Sequence, residues 1–149
     1  KKWTLILAYI SLFLLAVTPT GLTMYRELLP ASYWFTVQSV FIYDAKLGEA
    51  PKMDVDRTIH SPFHGNWTAE VQRKGGDAKY SVYCTGNGRN EYEPGDKLPE
   101  VVDLNWWTWP TKCQLEPGAY RVVTSWVVQA PGYPDKVVRN QSNDFTIYE

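Results

Sequence analysis

From Trp3 to Tyr25 the chain runs for 23 residues without a charge, and nothing else in it limits the possible folds as strongly. The first part, Trp3 to Val17, is mostly apolar, but at about 1.5 Å per helical residue it spans only roughly 22 Å of a hydrocarbon core about 30 Å thick. Extension to Tyr25 gives roughly 35 Å as helix, with Pro19 and Gly21 expected to kink or fray the last turns. A buried helix of a soluble domain is a weaker alternative, because a run with no polar face needs burial on every side. A cleaved secretory signal shares the positive start and the apolar run, yet Ala16 to Gly21 make a poor small-residue cleavage site. The expectation is therefore an uncleaved signal anchor: residues 1–25 as a transmembrane helix lying in the bilayer through 3–25, 26–32 as a connector, and 33–149 as one folded domain.

The charges support an orientation. Residues 1–26 hold Lys1, Lys2 and Arg26 and no acid, which leaves 12 basic and 16 acidic groups in the rest. Basic residues before the span predict a cytoplasmic N-terminus and a periplasmic or extracellular C-terminal domain, with Trp3 and Tyr25 at the two interfaces. Thr4, Tyr9 and Ser11 are the polar groups such a span offers to other helices. Over the whole chain 15 basic residues face 16 acidic ones, a balance that excludes a strongly basic nucleic-acid binder.

Beyond Tyr33 the pattern changes. Tyr33 to Tyr43, Asn66 to Gln72, Lys79 to Cys84, Ala119 to Gln129 and Asn143 to Tyr148 are rich in aromatic and β-branched residues and read as strands. Gly75-Gly76, Gly86-Asn87-Gly88, Pro94-Gly95-Asp96, Pro117-Gly118 and Pro131-Gly132 read as turns between them. No sustained helical period occurs between Lys46 and Glu149. Short strands and frequent turns over about 115 residues fit a mainly β domain of the sandwich type.

Leu115-Glu116-Pro117-Gly118-Ala119-Tyr120, followed by the alternating Arg121 to Val128, resembles the corner before the penultimate strand of an immunoglobulin-like or fibronectin-type β-sandwich. The resemblance covers about 35 C-terminal residues and is to an architecture, with no activity attached. It implies that the Tyr120 hydroxyl bonds back to the corner backbone. Alternation then places Tyr120, Val122, Trp126 and Val128 on the inner face, with Phe145 and Ile147 facing the same core. The chain departs from antibody domains in its two cysteines, Cys84 and Cys113, which lack the usual Cys-Trp-Cys arrangement. An exported domain favours a disulfide between them, worth roughly 3–4 kcal/mol in the chain-entropy model. Buried free thiols and a metal pair are the alternatives.

No catalytic or cofactor motif is present. Asp54, Asp56, His60 and His64 are able in principle to hold a divalent cation for an exported metal-dependent enzyme. Pro62 argues against a helix aligning the two histidines, so a solvated loop between strands is the preferred reading and no metal or cofactor is expected. Glu91 to Asp103 is acidic and reads as a solvated loop face. Trp106, Trp107 and Trp109 stand out, because three indoles in four positions cannot all face one side of a strand. An exposed indole suits a protein partner, a sugar ring or a lipid headgroup, whereas packing under a loop is the bland alternative. The expected function is a non-catalytic, membrane-tethered accessory subunit whose domain contacts a membrane protein or other protein through this segment; a glycan-binding module is the second expectation.

Overall fold

The computed structural model describes residues 2–108 and 113–149. Helix α1, Lys2–Leu28, is continuous over 27 residues and buries none of them. The fraying expected at Pro19 and Gly21 does not occur. Proline removes one N–H while the turns on either side keep theirs. The hydroxyls of Thr18, Thr20 and Thr23 bond to the carbonyls of Leu14, Ala16 and Pro19 around it. Ser11 likewise bonds to Leu7, so these hydroxyls are turned onto the helix's own backbone. With a mean hydropathy of 2.0 over 18 residues, α1 is long and apolar enough to cross a membrane; signal sequences share that character.

The C-terminal end of α1 is fastened to the β domain. Lys136 donates to the Glu27 carbonyl in the last turn, where orphan carbonyls and the negative dipole end favour a cation. The Arg26 guanidinium lies 6.0 Å from the Tyr133 ring centre, within reach of a cation–π contact. After a 3₁₀ turn at Ala31–Tyr33, the buried Trp34 meets Tyr133 edge-on at 4.9 Å.

Among the described residues nine strands form two sheets. The first has the order β1 (Phe35–Ile42), β3 (Lys52–Ile59), β6 (Val102–Asp103). The second has the order β2 (Ala45–Lys46), β9 (Phe145–Tyr148), β7 (Gly118–Gln129), β4 (Phe63–Lys74), β5 (Tyr80–Tyr92), and β8 (Lys136–Gln141) also pairs with β7. All pairs are antiparallel except β2 with β9. β7 alternates along its length: Tyr120, Val122, Thr124, Trp126 and Val128 are buried and their neighbours are not. Phe145 and Ile147 join them from β9, and Phe35, Val40, Ile42, Met53 and Ile59 face them from the first sheet. One hydrophobic core lies between the sheets, an arrangement compatible with a β-sandwich.

Asn143 ties the sheets at their crossing. Its side-chain oxygen accepts the Ile42 N–H at 2.7 Å and its amide donates to the Ile42 carbonyl at 2.8 Å, so the end of β1 is satisfied by a side chain where the chain leaves the first sheet. Asp44 then accepts the Thr146 N–H at 2.6 Å as the chain joins the second.

Three sequence expectations need correction. Gly86-Asn87-Gly88 is not a turn but the middle of β5. An added Cβ at Gly86 would lie 1.8 Å from the Trp107 carbonyl oxygen, and one at Gly88 would lie 2.6 Å from the Trp67 ring. These glycines mark close approach rather than chain reversal. Asp54 and Asp56 do not lie in a solvated loop, because β3 runs through them with Met53, Val55, Arg57 and Ile59 as the less exposed phase. Finally, Trp106 and Trp107 do not lie on a strand. They occupy α2, a single helical turn at Asn105–Thr108.

Candidate functional site

The indole pair sits on a segment held at both ends. Before it, β6 pairs with β3, and the Asp103 carboxylate accepts the Asn105 N–H at 2.9 Å, satisfying one of the free donors at the start of α2. After it, Cys113 is bonded to Cys84 of β5, with Cα atoms 6.1 Å apart. Between these anchors α2 crosses Gly86, where only a glycine leaves room for the Trp107 carbonyl.

The two indoles differ in environment. Trp107 is buried and meets Trp126 edge-on at 6.3 Å, and Trp126 in turn meets Phe35 at 5.3 Å. Trp106 stacks on Trp107 at 6.2 Å and keeps 37% of its surface exposed. An aromatic chain thus runs from the surface into the core, and its outer face is a flat indole stacked on a buried one. Trp109 lies outside the described residues.

Beside Trp106 opens a cavity of about 200 Å³, whose walls include Trp67, Trp107, Trp126 and Tyr92. Arg57 also lines it. Its guanidinium lies 5.4 Å from the Tyr92 ring centre, and its Nε–H is buried with no hydrogen-bond partner. Burial lowers the Arg57 pKa and raises that of Tyr92, because each charged form loses hydration. Sequence reasoning passed over Arg57. The signal was present in the alternation Met53, Val55, Arg57, Ile59, which puts an arginine in the inward phase of a strand.

The carboxylate and histidine group is spread over β3, which carries Asp54 and Asp56, the connector that holds His60, and β4, which carries His64. The Tyr43 hydroxyl donates to Asp54 at 2.5 Å, which raises the tyrosine pKa through that bond and the nearby charge. His60 Nε2 lies 3.0 Å from the Thr36 hydroxyl. His64, on β4, lies 3.6 Å from Glu91 on β5. Among the described residues no three His, Cys, Asp or Glu side chains gather in a way that could hold a metal ion.

At the corner that precedes β7 the Tyr120 ring is fully buried and its hydroxyl donates to the Glu116 carbonyl at 2.8 Å. Arg73 closes this corner from outside, donating to Glu116 at 2.8 Å and to the Pro117 carbonyl at 2.9 Å. Tyr83 crosses the Tyr120 ring edge-on at 5.5 Å and donates to the Gln114 carbonyl at 3.0 Å. The chain leading out of the disulfide is therefore pinned immediately after it.

Comparison with known protein families, with curated proteins and with solved structures returns no match.

Proposed function

We propose that the protein is a non-catalytic accessory subunit, tethered by α1 in a membrane with its N-terminus cytoplasmic, whose immunoglobulin-like domain binds another protein on the periplasmic or extracellular side. The observation that carries the reading is α1 itself: 27 apolar-rich residues with none buried, joined to the domain through Lys136 and Tyr133. A surface of that size is stable in water only when covered, and a bilayer covers it without a second protein surface. The disulfide fits export to an oxidising compartment.

The immunoglobulin-like assignment is supported by strand order. The order β1-β3-β6 corresponds to strands A, B and E of that architecture, and β9-β7-β4-β5 to G, F, C and C′. Tyr120 then stands at the corner before strand F with its hydroxyl on the backbone upstream, although the disulfide joins C′ to the segment before F rather than B to F.

Trp106 is the proposed centre of the protein contact, since an exposed indole on a rigid base offers large apolar area at little entropic cost. A glycan-binding role for the same face is the second reading, favoured by the flat stack of Trp106 on Trp107. The test is purification of the full chain in mild detergent from its native membrane, with mass spectrometry of the material recovered. The accessory-subunit reading expects one stoichiometric membrane-protein partner, lost in Trp106→Ala while the domain stays folded. A chain recovered alone, with its N-terminal segment removed, would defeat it.

A further inference from the structure

The cavity beside Trp106 deepens the second reading by naming the charge of its ligand, and it rests on that reading only in sharing the same indole. Its chemistry is unusual for a space walled by aromatic rings. Arg57 is protonated at any physiological pH, so a full positive charge borders the cavity. Its Nε–H is buried and unpartnered, and among the described residues Arg57 belongs to no ion pair. The Tyr92 ring and hydroxyl are its near neighbours, the hydroxyl in hydrogen-bond contact with the guanidinium, and Asp96 acts on it through charge alone. Arg57 lines the cavity, so an acceptor carrying negative charge there meets a guanidinium that has no ion-pair partner among the described residues, whereas a cation is repelled.

Shape narrows the choice. At about 200 Å³ the cavity falls below the roughly 300–1,000 Å³ of drug-sized sites, so it admits one ring and not an oligomer. Indole and phenol faces suit a flat or chair-shaped ring lying against them. Asn90 also lines the space and supplies a neutral amide, able to donate to a second oxygen of the same ligand.

We propose that this cavity binds a carboxylate carried on a single six-membered ring, with Arg57 pairing the carboxylate and Trp106 covering the ring. Two sources share that chemistry, a free cyclic acid and the uronic-acid unit of a glycan. The test is calorimetric titration of the full chain in non-ionic detergent with two matched pairs of probes: glucuronate against glucose, and cyclohexanecarboxylate against cyclohexanecarboxamide. At least one acid is expected to bind about tenfold or more tightly than its neutral counterpart, a difference of about 1.4 kcal/mol. Glucuronate alone binding identifies a glycan unit; cyclohexanecarboxylate binding as well identifies a general cyclic-acid site.

Arg57→Lys keeps the charge but loses the planar fork, and is expected to remove most of that preference. Should this variant fail to fold, the Arg57 guanidinium resonances of the wild-type chain supply the same information, since they must shift on adding acid and stay in place on adding the neutral probe. Equal affinity for acid and neutral probes, or no binding of either acid, overturns the proposal. Equal binding of glucose and glucuronate, with cyclohexanecarboxylate no tighter than its amide, would do so while leaving the glycan reading intact.

Discussion

A methyl group placed at Gly86 tests whether the Trp106–Trp107 turn lies where the structure puts it. The Cβ of Gly86→Ala would sit 1.8 Å from the Trp107 carbonyl oxygen, 2.8 Å from its carbon and 3.3 Å from the Thr108 Cα. All three are backbone atoms, so no rotamer change relieves the contact, and α2 must move off β5. Retreat loosens Trp107 from Trp126, one of the buried contacts between the turn and the core. Overpacking of this kind costs about 1–3 kcal/mol, offset by roughly 0.4–1 kcal/mol because alanine restricts the unfolded chain. A net loss of about 1–2 kcal/mol corresponds to roughly 4–10 °C in melting temperature for a domain of this size. Thermal unfolding of the full chain in detergent, monitored by near-ultraviolet circular dichroism, reads both the shift and the changed indole environment. Gly76→Ala is the control, because nothing lies within 4 Å of its Cβ position, and it should change stability by no more than about 0.5 kcal/mol. A Gly86→Ala chain melting at or above the wild-type temperature would refute the placement of the turn.

The same contacts set further expectations. Tyr120→Phe removes the bond to the Glu116 carbonyl and should cost about 1–1.5 kcal/mol in chemical denaturation; no change would mean that the hydroxyl is dispensable at the corner. Replacing Cys84 and Cys113 together by serine opens a loop of 29 residues and should cost about 3–4 kcal/mol, measured against the oxidised chain. Burial raises the pKa of Tyr92 and Tyr120 above the usual 10, so the folded state holds their protons more tightly than the unfolded state does. That stability is complete below pH about 10 and is lost as pH rises through the folded values; Tyr92→Phe should flatten the alkaline decline seen in a pH series of melts. Tyr133→Ala frees the Arg26 side chain, and trypsin should then cut after Arg26 several-fold faster, whereas an unchanged rate would show that this contact does not hold the helix to the domain.

The sequence disclosed its most periodic parts. β7 buries every second residue from Tyr120 to Val128, and Tyr120, Val122, Trp126 and Val128 fall on the inner phase that the sequence indicates. Val123 and Val127 are nonetheless apolar on the outer phase, and Thr124 is polar on the inner one. The uncharged N-terminal run was equally legible, although the local rule for proline overestimated what one missing N–H does within a long apolar helix. β3 was obscured because Arg57 occupies an inward position and because Asp54 and Asp56, on the outward phase, drew the eye as metal ligands. Glycine misled at residues 86 and 88 for a tertiary reason: the atoms that exclude a side chain there belong to Trp107 and Trp67, distant in sequence. The cavity was invisible for the same cause, since its lining comes from β3, β4, β5, β7 and α2 and meets only in the folded chain. By contrast, Trp106 and Trp107 were marked by composition alone, but which of them faces outward depends on the helical turn that local periodicity did not reveal.

The most direct measurement of the proposed role is photocrosslinking from residue 106 in intact native membranes, using a benzophenone side chain in place of the indole and the same side chain at Gly76 as control. One discrete adduct with a membrane protein is expected from residue 106 and none from residue 76, with the chain itself in the membrane fraction. Adducts of equal intensity from both positions, or a chain found only in the soluble fraction and lacking α1, would contradict it.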